Sequence, residues 1–277
     1  PPQGASLSPI STSKVLLAVS TALTLLLLRS VRSVPKGERD KLASDTHILQ
    51  TLTQLLSTFH LDKTDTDFYS PRKSSIMKSA ASQNLALMKE VMGFTVERST
   101  SSIPGGGRGV KVTAGSVPEG AVTSLYPGLI YERYEPILFQ SIGNPFIFRC
   151  IDSVLIDGND KGISKFLYRS CHGRDRVGPY IVCDDTWLTE WPLNPLAVGQ
   201  YVNNHNKENP ANVCYQEFDV PADFVFHLRQ YLPNNYYSSC LDRLDQHQRL
   251  TRLVALVATR EIECGEELFS SYFTVVH

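Results

Sequence analysis

Three clusters of residues in this chain have types and spacings suited to chemistry. Near the C-terminus, Arg260-Glu261-Ile262 leads through Cys264-Gly265 into Glu266-Glu267-Leu268, and after Phe269-Ser270-Ser271 comes a single phenol, Tyr272. A tyrosine hydroxyl both donates and accepts a hydrogen bond, so it can orient a reacting group or simply close a buried network. Far upstream, Gly105-Gly106-Gly107-Arg108-Gly109 strips a loop of side chains. Such a loop is either a hairpin turn or a stretch of backbone that a ligand can approach. Between these clusters, Asn203-Asn204-His205 begins a polar run that ends in Pro210-Ala211-Asn212. Taken alone, the two asparagines read as an ordinary turn pair.

Spacing excludes several other chemistries. The glycine run lacks the third-glycine spacing and the following helix pattern of a dinucleotide fingerprint, and no Gly-Lys-Ser/Thr supplies a phosphate loop. Asp157-Gly158-Asn159-Asp160-Lys161-Gly162 starts like a calcium loop, but Lys161 stands where an oxygen ligand is needed and Tyr168 where the closing glutamate belongs. It reads as a turn between two strands. Six cysteines (Cys150, Cys171, Cys183, Cys214, Cys240, Cys264) include no Cys-x-x-Cys pair, so no structural metal is expected and reduced thiols are the default.

The elements that must position these clusters follow from hydrophobic periodicity. The residues 250–259 alternate and then run apolar through Leu253-Val254-Ala255-Leu256-Val257-Ala258, the pattern of a buried strand. Val110-Lys111-Val112 is a strand candidate after the glycine loop. So are Phe146-Ile147-Phe148, Val154-Leu155-Ile156 and Phe166-Leu167-Tyr168. A helix is expected over 45–59, where Ile48, Leu49, Leu52, Leu55, Leu56 and Phe59 recur at helical spacing, and a second over 79–92, stopped by Gly93. A shorter helix is expected over 222–231.

Composition sets the outer bounds. With 277 residues, 42% apolar, 20% charged and a formal net charge of −1, the chain can bury one sizeable core and carries no overall basic footprint, so direct nucleic-acid binding is not expected. The segment 1–14 is rich in Pro, Ser and Gly and is expected to be mobile. The apolar run 15–28, bounded by Lys14 and Arg29, would rise roughly 21 Å as a helix against a bilayer core of about 30 Å. It reads as a packed or interfacial helix, with a short membrane anchor as the lesser alternative. We divide the chain into a helical N-terminal region, 1–93, and a β-rich unit, 94–277, with an insert at about 130–179.

Taken together, the C-terminal order Ala-x-Arg-Glu-Ile-x-x-Gly-Glu-Glu-Leu-x-x-x-Tyr closely resembles the closing motif of SET domains, the protein-lysine methyltransferase fold. Gly107-Arg108-Gly109-Val110, followed by Pro118-Glu119-Gly120 and Tyr126-Pro127-Gly128, resembles the opening motif. Gln200-Tyr201-Val202-Asn203-Asn204-His205 resembles the Arg-Phe-Ile-Asn-His element, with Asn204 in the histidine position. One residue is also inserted into Pro-Asn at Pro210-Ala211-Asn212. The resemblance implies a β-rich α+β fold of small sheets with a threaded C-terminal segment, preceded here by helices. It implies S-adenosylmethionine as cofactor, held by Gly107, Arg108, Gly109, Asn203 or Asn204, His205 and Tyr272. A lysine of a protein substrate would be the methyl acceptor, Tyr272 the catalytic residue, and Tyr180, Leu256 and Phe269 walls of the lysine channel. An intracellular protein, nuclear or cytoplasmic, is the corresponding expectation. The competing expectation is a SET-fold binding module that has lost turnover, and the altered Asn-His element favours it.

Overall fold

Ile48, Leu52, Leu55, Leu56 and Phe59 form the buried face of helix α1 (Asp45–Leu61). Ser44 caps it by accepting the His47 N–H at 3.1 Å, and Asp45 lies in the first turn, where the helix dipole favours a negative charge. Helix α2 (Ser74–Met92) ends at Gly93, whose φ of 81° is left-handed and whose N–H returns to Lys89 O. The computed structural model describes residues 41–61, 74–177, 180–238 and 250–271. The segments 1–14 and 15–28, Cys240 and Tyr272 lie outside the described residues. Among those described, no helix is long and apolar enough to cross a membrane.

After α2 the chain becomes β-rich. Strands β1 (Thr95–Thr100) and β2 (Arg108–Ala114) form an antiparallel hairpin around the glycine loop. Then follow β3 (Val122–Leu125), β4 (Gly128–Tyr131), the short helix α3 (Leu138–Ser141), β5 (Ile147–Arg149), β6 (Leu155–Asp157) and helix α4 (Gly162–Arg174). The remainder comprises β7 (Arg176–Val177), β8 (Tyr180–Ile181), β9 (Asn203–Asn204), β10 (Val213–Val220), β11 (Asn234–Tyr236), β12 (Thr251–Ala258) and β13 (Phe269–Ser270). The central sheet has the order β10-β12-β3, and a second sheet has the order β11-β4-β6-β5; β1-β2, β7-β8 and β9-β13 are separate pairs.

The apolar run of β12 explains the centre. Leu253 to Ala258 are all fully buried, because β10 and β3 flank the strand and the core covers both its faces. Each buried Val or Leu there contributes about 1.5–3 kcal/mol as an upper estimate. The same core takes in Ile48, Leu52 and Phe59 of α1 and Met88 of α2, so the two helices share it with the sheet. A smaller core gathers Tyr131, Tyr168 and Trp187, with Tyr168 edge-on to Trp187 at 4.9 Å.

Three expectations are corrected. Phe166-Leu167-Tyr168 is helical, part of α4: Ser164, Tyr168, Cys171 and His172 are buried at three- and four-residue spacing, while Phe166 is 72% exposed. A strand would have buried Phe166 and Tyr168 together. The turn 157–162 therefore joins a strand to a helix, not two strands. In 222–231 only Phe226–Tyr231 is helical, and it is a 3-10 turn. Its backbone bonds run three residues back (Leu228 N–H to Val225 O), and Arg229 caps the carbonyls of Pro221 and Ala222.

Candidate functional site

The β1–β2 hairpin positions the glycine loop. Ser99 pairs with Gly109 and Thr100 with Arg108, and the Ser101 N–H closes the loop on Gly107 O at 3.0 Å. Gly107 has φ of 67°, a conformation that costs other residues roughly 1–2 kcal/mol, and no atom lies within 4 Å of where a Cβ would stand. Its backbone is therefore bare and open on that side.

The C-terminal motif runs along the free edge of β2. Gly265 N–H donates to Val112 O, Val112 N–H to Glu266 O, and Leu268 N–H to Val110 O. One step later β13 pairs in parallel with β9, matching Phe269 to Asn203 and Ser270 to Asn204, and the His205 N–H adds a bond to Ser270 O at 2.9 Å. Three segments far apart in sequence thus lie side by side: the glycine loop with β2, the Asn-Asn-His element, and the last strand.

Side chains join them. Asn203 Nδ2 donates to Arg108 O at 3.0 Å and to Glu267 Oε1 at 3.3 Å. Glu267, 6% exposed, also accepts from Ser101 Oγ (2.7 Å), Ser102 Oγ (2.7 Å) and the Ser102 N–H (2.6 Å). Burial alone would raise its pKa, but these hydrogen bonds outweigh burial and hold the carboxyl below its ordinary range. Asn212, 1% exposed, clamps the last strand: Nδ2 donates to Glu267 O at 2.9 Å and Oδ1 accepts the Phe269 N–H at 2.8 Å. Its own N–H donates to Phe269 O, and Ser270 Oγ donates to the Tyr215 hydroxyl.

On the opposite face of the hairpin, the Tyr201 hydroxyl donates to Asp160 Oδ2 at 2.6 Å, and the guanidinium groups of Arg98 and Arg108 lie 5.5 and 5.6 Å from the Tyr201 ring centre. Burial, followed by the Asp160 contact, pushes the Tyr201 phenol up to about 12. A cavity of about 360 Å³ opens beside Arg98 and Arg108, walled by Leu85 of α2, Val96, Trp191 and Val198.

The structure brings Gly107, Arg108, Gly109, Asn203, Asn204 and His205 together with Phe269, which is 4% exposed. Asn203 turns its amide inward; Asn204 and His205 are exposed. Leu256 is fully buried in the middle of β12, opposite Tyr215 and Ser124. Tyr180 lies on the β7–β8 pair, half exposed, its ring edge-on to Phe226 at 5.8 Å. Tyr272 follows the last described residue. Sequence reasoning assigned no role to Glu267, Asn212 or Ser101. The first two lay inside recognised motifs, and that was the only signal available for them.

Cys150, Asp152 and Glu217 place ligand-type atoms within 4.8 Å of one another, but the Arg252 guanidinium already serves this cluster, at 3.2 Å from Asp152, 3.1 Å from Glu217 and 2.7 Å from Asp219. None of the five described cysteines is paired.

No protein-family model matches the chain. It is 49% identical over 275 residues to SET domain-containing protein 9 of Pongo abelii, covering 90% of this chain and 98% of that one. It is 49% identical over 274 residues to the Homo sapiens protein of the same name, covering 90% and 89%. A solved structure, ctPRC2 in an autoinhibited conformation bound to S-adenosylmethionine, aligns at 13% identity and a TM-score of 0.34 over 69% of this chain and 16% of that one, a likeness too slight to carry an argument. Identity of 49% sustained along 90% of the chain is decisive by itself: the chain belongs to the SET-domain family.

Proposed function

We propose that the chain is an S-adenosylmethionine-dependent methyltransferase whose acceptor is a lysine side chain of a protein. The observation that carries this reading is the joining of the glycine loop, Asn203 and the last strand into one hydrogen-bonded unit, through Asn203 Nδ2 to Arg108 O and the β9–β13 pairing, which ends two residues before Tyr272. The residues present fit the cofactor: Gly107 offers bare backbone with open space beside it, and the exposed Asn204 and His205 offer polar edges at the same place.

When bound, S-adenosylmethionine supplies an electrophilic methyl group on a sulfonium. The chain's own task is to hold an amine in line with that methyl, and such positioning is worth several kcal/mol of barrier. The amine must first lose its proton, because an ammonium has no lone pair. Apolar walls such as Phe269 favour the neutral form by disfavouring charge. Tyr272 is the residue we assign to orienting the methyl through its hydroxyl oxygen, a weak contact that strengthens as charge shifts in the transition state.

A second reading is a binding module without turnover. It is favoured by Asn204 in the place of the family's histidine. Calorimetric titration of the purified chain with S-adenosylmethionine, followed by transfer of labelled methyl into a protein pool and mapping of the label, separates the two. Binding with label on lysine supports the enzyme. Absence of binding sinks it in favour of the module, and label on another residue type removes the lysine assignment.

A further inference from the structure

Glu267 is an unusual use of a carboxylate. It is buried and accepts hydrogen bonds from Ser101, Ser102 and Asn203, and among the described residues no lysine or arginine pairs with it. Its donors come from the two segments that the proposed cofactor site needs, the glycine loop and the Asn-Asn-His element. Directly opposite lies Gly109. A Cβ on Gly109 would overlap Glu267 Oε1, stand 2.8 Å from its Cδ and 3.3 Å from Ser101 Cα. Unlike Gly107, Gly109 does not have a left-handed φ, so what a side chain there would meet is the Glu267 carboxylate and not a strained backbone conformation.

We propose that Gly109 and Glu267 are a matched pair, in which Gly109 lacks a side chain in order to admit the Glu267 carboxylate, and Glu267 is the positioning residue that holds the glycine loop against Asn203. This rests on the reading of the site as a cofactor site. It differs from the expectation that both glycines of the motif exist to let a ligand approach: Gly107 retains that role and Gly109 does not. A side chain at Gly109 expels the carboxylate, and Ser101, Ser102 and Asn203 lose their common acceptor together. Shortening Glu267 to aspartate withdraws the carboxylate by one carbon–carbon bond, about 1.5 Å, and makes room for a methyl group at Gly109.

The test uses the full chain and four proteins: wild type, Gly109→Ala, Glu267→Asp and the double variant. Two readouts are taken, amide hydrogen exchange of peptides spanning 99–107 without ligand, and S-adenosylmethionine affinity by calorimetry. Gly109→Ala should speed exchange of the loop amides at least tenfold and weaken affinity at least tenfold. The double variant should return to within about threefold of Glu267→Asp alone, a non-additivity expected only of groups in contact. Purely additive effects would overturn the pairing. So would loss of affinity in Gly109→Ala with loop exchange unchanged, because the new methyl group would then be blocking the ligand directly. Should Gly109→Ala not fold, Glu267→Gln decides: it keeps the shape but sets an amide N–H₂ against donors, so the loop must exchange faster, and an unchanged loop refutes the proposal. If wild type binds no S-adenosylmethionine, the enzyme reading fails, while the exchange data still decide the pairing.

Discussion

Replacing Asn212 by alanine should release the last strand from the body of the protein. The side chain makes two hydrogen bonds, to Glu267 O at 2.9 Å and from the Phe269 N–H at 2.8 Å, at a position 1% exposed. Alanine leaves both backbone groups without their partner in a region where water has little access. An unsatisfied buried polar group costs about 1–3 kcal/mol, so for the two groups the expected loss is about 2–6 kcal/mol. Against a typical total of about 5–15 kcal/mol, the variant should fold but be measurably weakened. Urea titration followed by the fluorescence of Trp187 and Trp191 gives the midpoint and slope, and hydrogen exchange at the Phe269 amide gives the local effect. Asn212→Asp should be no better than alanine: it keeps the acceptor for Phe269 but turns a charged oxygen toward the Glu267 carbonyl. A loss below about 0.5 kcal/mol with an unchanged slope and a protected Phe269 amide would refute the clamp.

Tyr272→Phe should leave S-adenosylmethionine affinity nearly unchanged and lower turnover about tenfold, equivalent to about 1.4 kcal/mol of transition-state stabilisation; unfolding of the variant would instead assign Tyr272 to the core. In acid, Glu267 should contribute in a definite direction. Its folded pKa is depressed, so its stabilisation is complete above the ordinary glutamate value of 4.5 and is lost as pH falls through the lower folded value. Glu217 and Asp157, raised by burial, act in the opposite sense, so the wild type minus Glu267→Gln difference is the quantity to follow; it should shrink as pH drops below 4.5, and a constant difference would contradict the assignment. Under native conditions a thiol reagent mapped by mass spectrometry should label exposed Cys264 quickly and the buried Cys150, Cys171 and Cys183 slowly, and metal analysis should find less than one zinc per chain.

Local patterns were sufficient wherever a segment's own periodicity decides its environment. The spacing of Ile48, Leu52, Leu55 and Phe59 determines the buried face of α1, and the unbroken apolar run of β12 determines a strand covered on both faces. The closing motif and the glycine run point to one family through residue types and spacing alone. Phe166-Leu167-Tyr168 was misread because three apolar residues in a row suit a strand or a helix equally, and only packing of Tyr168 on Trp187 chooses between them. Asn203 and Asn204 are not distinguished by local pattern because they differ by a one-residue register; the long-range contacts of the Asn203 amide with Arg108 O and Glu267 are visible only in the tertiary structure. The roles of Glu267 and Gly109 had no local signature at all. Ser101 and Glu267 are 166 positions apart, and the overlap that makes Gly109 a glycine exists only once β2 and the C-terminal segment lie side by side. Periodicity reports which face of an element is buried; which atoms meet across elements is decided by chain folding over long separations, and only the tertiary structure contains it.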